Sequence, residues 1–140
     1  MSQLLNDYRV ALLERSRNIR DGNQSMQWHF SQTMQLAEEA ILCLYLLLVE
    51  AITQDVPLAL PTSQTEQPPT SMQDLMQQCY ELAEQLNREH LGLDQQLQIT
   101  LKLVGCIAQL VGLHTEQAKH ISTLRRSSLS KTEAMIRKCR

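Results

Sequence analysis

The sequence predicts an all-α fold: an antiparallel four-helix bundle of two helical hairpins joined by a Pro-rich linker, with a basic helical C-terminal extension, in one domain over 1–140. Three observations carry that expectation. Apolar residues recur at i, i+3 and i+4 through most of the chain, the spacing of an amphipathic helix. All four prolines fall within 54–70, between the periodic segments. Ala40 to Val49, AILCLYLLLV, is an unbroken apolar run of ten residues between Glu39 and Glu50. A helix through that run is apolar all the way round, where a surface helix needs only a stripe of roughly 100°. The run is too short for a bilayer, which takes ~20 apolar residues. No membrane span is therefore expected, and the run should be enclosed by protein on several sides, with the second helix at the centre of the bundle.

The first helix, 2–21, carries Leu4, Leu5, Tyr8, Leu12 and Ile19 on its apolar positions, and Gly22 with Asn23 ends it. Glycine there is expected in the left-handed conformation that closes many helices. The second helix, 25–53, begins near Ser25. Its main stripe is Phe30, Met34, Ala37, Ile41, Leu44, Leu48 and Ile52, and Leu42, Tyr45, Leu46, Leu47 and Val49 add further apolar faces. Residues 54–70 cannot continue it, because each proline removes a backbone donor and clashes with the preceding turn. This linker is longer than the usual helix connection, a length compatible with a disordered connector and with a crossing of the bundle.

Ser71 and Asp74 form a capping-box pattern that opens a third helix, 71–90, with Met72, Leu75, Cys79, Leu82 and Leu86 on one stripe and Gly92 closing it. Asp94 then caps a fourth helix, 94–126, carrying Leu97, Leu101, Val104, Ala108 and Val111, widened by Leu103, Ile107 and Leu110. It is expected to run on through Gly112. Gly105, Ala108 and Gly112 share a face on which a further helix could approach closely. Ser127, Ser128 and Ser130 interrupt the pattern, and Ser130 with Glu133 marks a short terminal helix, 131–139.

Charge is uneven along the chain. Residues 1–25 carry four arginines against three acids, residues 26–116 two basic residues against eleven acids, and residues 117–140 seven basic residues against one acid. A basic tail behind an acidic body fits an anionic partner, or pairing of the tail with the acidic face of its own bundle or of a second copy. The four cysteines, Cys43, Cys79, Cys106 and Cys139, include no C-x-x-C pair. Most sit in apolar helical patterns, where reduced cysteine behaves as a small hydrophobe. The N-terminus lacks the basic flank and apolar core of a secretory signal, so a cytoplasmic home is expected.

Signatures of chemistry are missing. There is no glycine-rich phosphate loop, no G-x-S-x-G, no H-E-x-x-H and no Glu-x-x-His of the kind that holds di-iron in bundles. An Arg followed four to six residues later by His, the pair of small nuclease-like helical bundles, is missing too. His114, Glu116 and His120 are the nearest approach to a metal cluster, but the two histidines are six apart and face different directions. His29 and His90 read as ordinary helix-end residues, and Glu38, Glu39 and Glu50 as a solvated face. No catalytic residue, cofactor, metal or small-molecule substrate is expected.

The expectation is thus a non-enzymatic interaction module, an adaptor, accessory subunit or self-associating bundle, that meets a protein partner or a second copy through Leu42, Tyr45, Leu46 and Val49. The alternative is a nucleic-acid-associated accessory protein binding phosphates through its basic segment, Arg125, Arg126, Lys131, Arg137, Lys138 and Arg140 with Lys119. No aromatic residue is interleaved there to stack on bases.

Overall fold

The computed structural model describes residues 2–56 and 71–138, and side chains over 3–56 and 71–119. Among the described residues all regular structure is helical: α1 Ser2–Asp21, α2 Met26–Thr53, α3 Met72–Leu86 and α4 Leu93–Lys138. The linker expected at 54–70 lies largely outside the described residues, as do Arg140 and the side chains of the other basic-tail residues after Lys119.

Helix ends follow local chemistry. Ser25 caps α2 by accepting from the Trp28 N–H at 3.1 Å, and Ser71 caps α3 by accepting from the Asp74 N–H at 3.1 Å. α2 closes in a Schellman turn. The Val56 N–H reaches the Ala51 carbonyl at 2.9 Å, the Asp55 N–H reaches Ile52, and Asp55 itself takes the left-handed φ of 56°.

Three boundaries differ from expectation. Gly22 has no positive φ. Its hydrogen is needed for space, since a Cβ there would lie 2.7 Å from the Asn18 carbonyl oxygen and 2.8 Å from the Trp28 ring. α3 stops at Leu86, short of 90. The Asn87 amide donates to the Ala83 carbonyl at 2.8 Å and to the Arg9 carbonyl of α1 at 2.7 Å, competing with the next helical turn. The left-handed residue in the turn that follows is His90, φ 66°, and Gly92 instead starts α4, its N–H held by the Gln95 side chain at 3.1 Å. Finally, α4 is one helix to Lys138, through both Gly112 and the serines that were expected to separate 131–139. No proline or glycine follows Gly112, and a serine costs a helix well under ~1 kcal/mol.

α2 packs on α1 and α4, and α3 packs on the same two helices. Between them lies a core of Leu12, Ile19, Leu36, Ala40, Cys43, Leu47, Ala51, Leu75, Met76, Cys79, Ala83, Leu86, Leu97, Leu103, Cys106, Ile107 and Leu110. Arg15 ties α1 to α2, donating to Glu39 at 2.7 Å and to Gln32 at 2.6 Å. Arg9 reaches from α1 to Gln96 of α4 at 3.0 Å, and the Arg20 guanidinium lies 3.8 Å from the Tyr80 ring centroid of α3. Leu93–Lys119 of α4 is long and apolar enough to cross a bilayer by length and composition, but four of its leucine and isoleucine side chains fill this core.

Candidate functional site

The inward residues of α2 are Thr33, Leu36, Ala40, Cys43, Leu47 and Ala51. Four of the six are small, so α1 and α4 can lie close against this side. The larger side chains consequently point elsewhere. The stripe expected from periodicity is largely on the outside: Phe30 is 38% exposed, Met34 45%, Ile41 56% and Ile52 70%, while Ala37, Leu44 and Leu48 are half-buried at its edge. The expectation that α2 is central and its apolar run enclosed is therefore corrected. Among the described residues, one flank of the helix is left uncovered.

Of the contact residues expected from sequence, Tyr45 is 63% exposed and falls on this stripe, and Leu42 is 39% exposed beside it. Leu46 and Val49 are half-buried. Leu46 turns to a different hollow of about 220 Å³, shared with Leu5, Arg9, Glu50 and Leu93. Phe30, Met34, Ile41 and Ile52 were missing from the expected contact set. The signal that could have found them is the size asymmetry of α2, small residues on one side and large on the other.

The stripe has relief. Its N-terminal half borders a groove of about 710 Å³ lined by Gln27, Phe30, Ser31, Met34, Gln35, Ala37, Glu38, Ile41 and Leu42. Its C-terminal half carries the two most exposed side chains, Tyr45 and Ile52, as protrusions. It is also poor in charge, because α2 has no Lys or Arg, Glu39 is engaged by Arg15 on another side, and Glu50 accepts from the Gln54 amide at 2.7 Å. Glu38 alone brings a carboxylate to the groove.

Other polar clusters are small. His114 is buried, packed edge-on against Phe30 at 5.7 Å between centroids, with Nε2 3.5 Å from the Thr33 hydroxyl. That hydroxyl donates to the His29 carbonyl at 2.7 Å, leaving its lone pairs to accept from His114. Burial, with a smaller contribution from His29, holds the His114 imidazole below its usual range. Glu116 is exposed while His114 is buried, and the His120 side chain lies outside the described residues. Among the described residues no three His, Cys, Asp or Glu side chains gather as a metal site. Cys79 and Cys106 are buried neighbours, Sγ to Sγ 3.4 Å, and neither they nor Cys43 form a disulfide. Gly105 and Gly112 face open space, so among the described residues no helix uses the small-residue face of α4.

The chain matches no family model, no curated protein and no solved structure.

Proposed function

We propose that this chain is a non-enzymatic, cytoplasmic protein-interaction module that binds through the uncovered apolar flank of α2. One observation carries the reading: Phe30, Met34, Ile41, Leu42, Tyr45 and Ile52 line one helix and are all 38% exposed or more. Single exposed apolar residues are ordinary, but a contiguous patch of this kind marks an interface. Light scattering and binding of an apolar fluorescent dye test it. Wild type is expected to associate or to bind dye, and Ile41→Glu with Tyr45→Glu to abolish both while keeping helicity. A monomeric wild type that binds no dye and is unaffected by the two glutamates refutes the reading.

The same proposal takes the architecture as one domain of two antiparallel hairpins, α1/α2 and α3/α4. Residue pairs support it: Arg15 meets Gln32 and Glu39, Leu5 lies near Leu46 and Glu50, and Cys79 meets Cys106 while Met72 lies near Gln117. The end of α2 and the start of α3 then sit at opposite ends of the bundle, about 42 Å apart by the length of α2. Seventeen residues, at up to ~3.3 Å each, can span that gap.

A second reading rests on the continuity of α4. Its last residues carry Arg125, Arg126, Lys131, Arg137 and Lys138 on one uninterrupted helix, past Gln117, which lies level with Met26 and Met72, the first residues of α2 and α3. Such a segment suits phosphate contacts whose affinity falls steeply with salt. Binding to duplex nucleic acid that is lost when Arg125, Arg126, Arg137 and Lys138 become Gln supports it, and salt-independent binding refutes it.

A further inference from the structure

Resting on the reading of the α2 flank as an interface, we propose that its partner is a second copy of this chain, docked antiparallel about a two-fold axis beside Ile41. The spacing of the stripe is a palindrome. Outward from Ile41 the apolar positions fall four, seven and eleven residues away in both directions: Ala37 and Tyr45, Met34 and Leu48, Phe30 and Ile52. An isologous pair brings each residue against its mirror position on the partner helix. Ile41 then meets Ile41, the small Ala37 lies opposite the large Tyr45, Met34 opposite Leu48, and Phe30 opposite Ile52.

Relief and charge agree with this register. The groove occupies the half of α2 from Gln27 to Leu42, and the most exposed side chains, Tyr45 and Ile52, stand on the other half. The two-fold lays each ridge into the facing groove. Glu38 falls opposite Leu44, so the two copies of this carboxylate do not meet head on, and α2 brings no Lys or Arg to the contact. The exposed side chains leave on the order of 600 Å² of apolar surface per copy, at the top of what monomers usually show. With Ala37, Leu48 and Val49 at the margins, that approaches the ~800 Å² per partner of a stable interface.

The test uses the full chain in a Cys139→Ser background, where the other three cysteines are buried. Light scattering is expected to give twice the chain mass. Ile41→Cys is expected to cross-link to itself under a mild oxidant or a short bis-maleimide. Phe30→Cys and Ile52→Cys proteins are expected to cross-link to each other when mixed, and each far less to itself. A dimer in which Ile41→Cys stays uncoupled overturns the register, and a dimer that survives Ile41→Glu overturns both this proposal and the α2 reading for that assembly. A monomer that binds apolar dye until Ile41→Glu removes the binding overturns self-pairing but leaves the α2 interface for another protein. A monomer recruited to neutral phosphatidylcholine vesicles through the same residues overturns it in favour of lipid, and a monomer that binds neither dye nor vesicle overturns both readings.

Discussion

Leu47→Ala and Ile41→Ala remove the same three carbons from one helix, yet the structure assigns them very different costs. Leu47 is 0% exposed and Ile41 is 56% exposed. At ~0.8 kcal/mol per buried carbon group, truncating Leu47 forfeits about 2.5 kcal/mol of transfer free energy. The cavity left in a core that only partly relaxes brings the total to about 3–4 kcal/mol. Ile41 already spends more than half its surface in water, so its truncation costs about 1 kcal/mol or less in the isolated chain. Urea unfolding followed by circular dichroism, at chain concentrations low enough to suppress association, measures both as shifts in midpoint at constant slope. Equal losses would mean that α2 is rotated, with the Phe30–Ile52 stripe facing inward, and would remove the foundation of the interface. Raising the concentration adds a second check, because any association through α2 makes the cost of Ile41→Ala grow with concentration while that of Leu47→Ala keeps its intrinsic part.

Arg15→Ala strips the partner from Glu39 and Gln32, and with the Arg15 and Glu39 side chains only 25% and 18% exposed the loss is expected at about 1–3 kcal/mol in the same urea assay, with Glu39→Gln milder. His114 is held neutral by burial, so the unfolded chain binds its proton more readily than the folded one. Its contribution is therefore complete above the ordinary histidine value of 6.5 and lost as pH falls below it; His114→Leu is expected to flatten the melting temperature between about pH 5 and 7, and an unchanged pH profile counts against the buried placement. Thiol chemistry offers another measurement. Burial pushes Cys43 up to about 11, and the Cys106 hydrogen bond together with burial raises Cys79 further. In the Cys139→Ser protein at pH 8, an aromatic disulfide reagent is expected to titrate no thiol quickly until urea is added, and three afterwards; fast labelling of the native state contradicts the core described here.

Periodicity and punctuation made much of the architecture readable. Ser71 caps the helix its capping-box pattern announced, and Ser25, near which the second helix was expected to begin, proves to be its cap, because a hydroxyl at the N-cap has one local job whatever the tertiary context. Gly22 marked a true helix end for a different reason, the nearness of the Trp28 ring, which only the folded chain reveals. Gly92 was assigned to the wrong helix because Asn87 closes α3 with a bond to the Arg9 carbonyl, a contact between residues far apart in sequence. The orientation of α2 was the deepest miss. Hydrophobicity ranks Phe30, Met34, Ile41 and Ile52 above Thr33, Ala40, Cys43 and Ala51, yet close helix packing selects small volumes for the inside. A chain that must also present an apolar surface to a partner places its bulk outside, and a single sequence does not say which of two apolar stripes faces its own core. His114 was hidden for a similar reason, since its burial depends on Thr33 and Phe30 from another helix.

α4 is longer than the body it belongs to. Its 46 residues measure about 69 Å, whereas α2 measures about 42 Å. Gln117 of α4 lies level with Met26 near the beginning of α2, so the helix axis runs on for about 32 Å past that level. In the proposed two-fold pair the α2 helices would run in opposite senses, and the two arms would leave from opposite poles, roughly 110 Å from tip to tip. On the proposed second reading, one cationic arm alone would make only a feeble, salt-sensitive attachment to an anionic surface. Coupled through the proposed pair, two arms would act as a caliper, with avidity for targets whose negative sites are set that far apart and little for targets whose spacing does not fit.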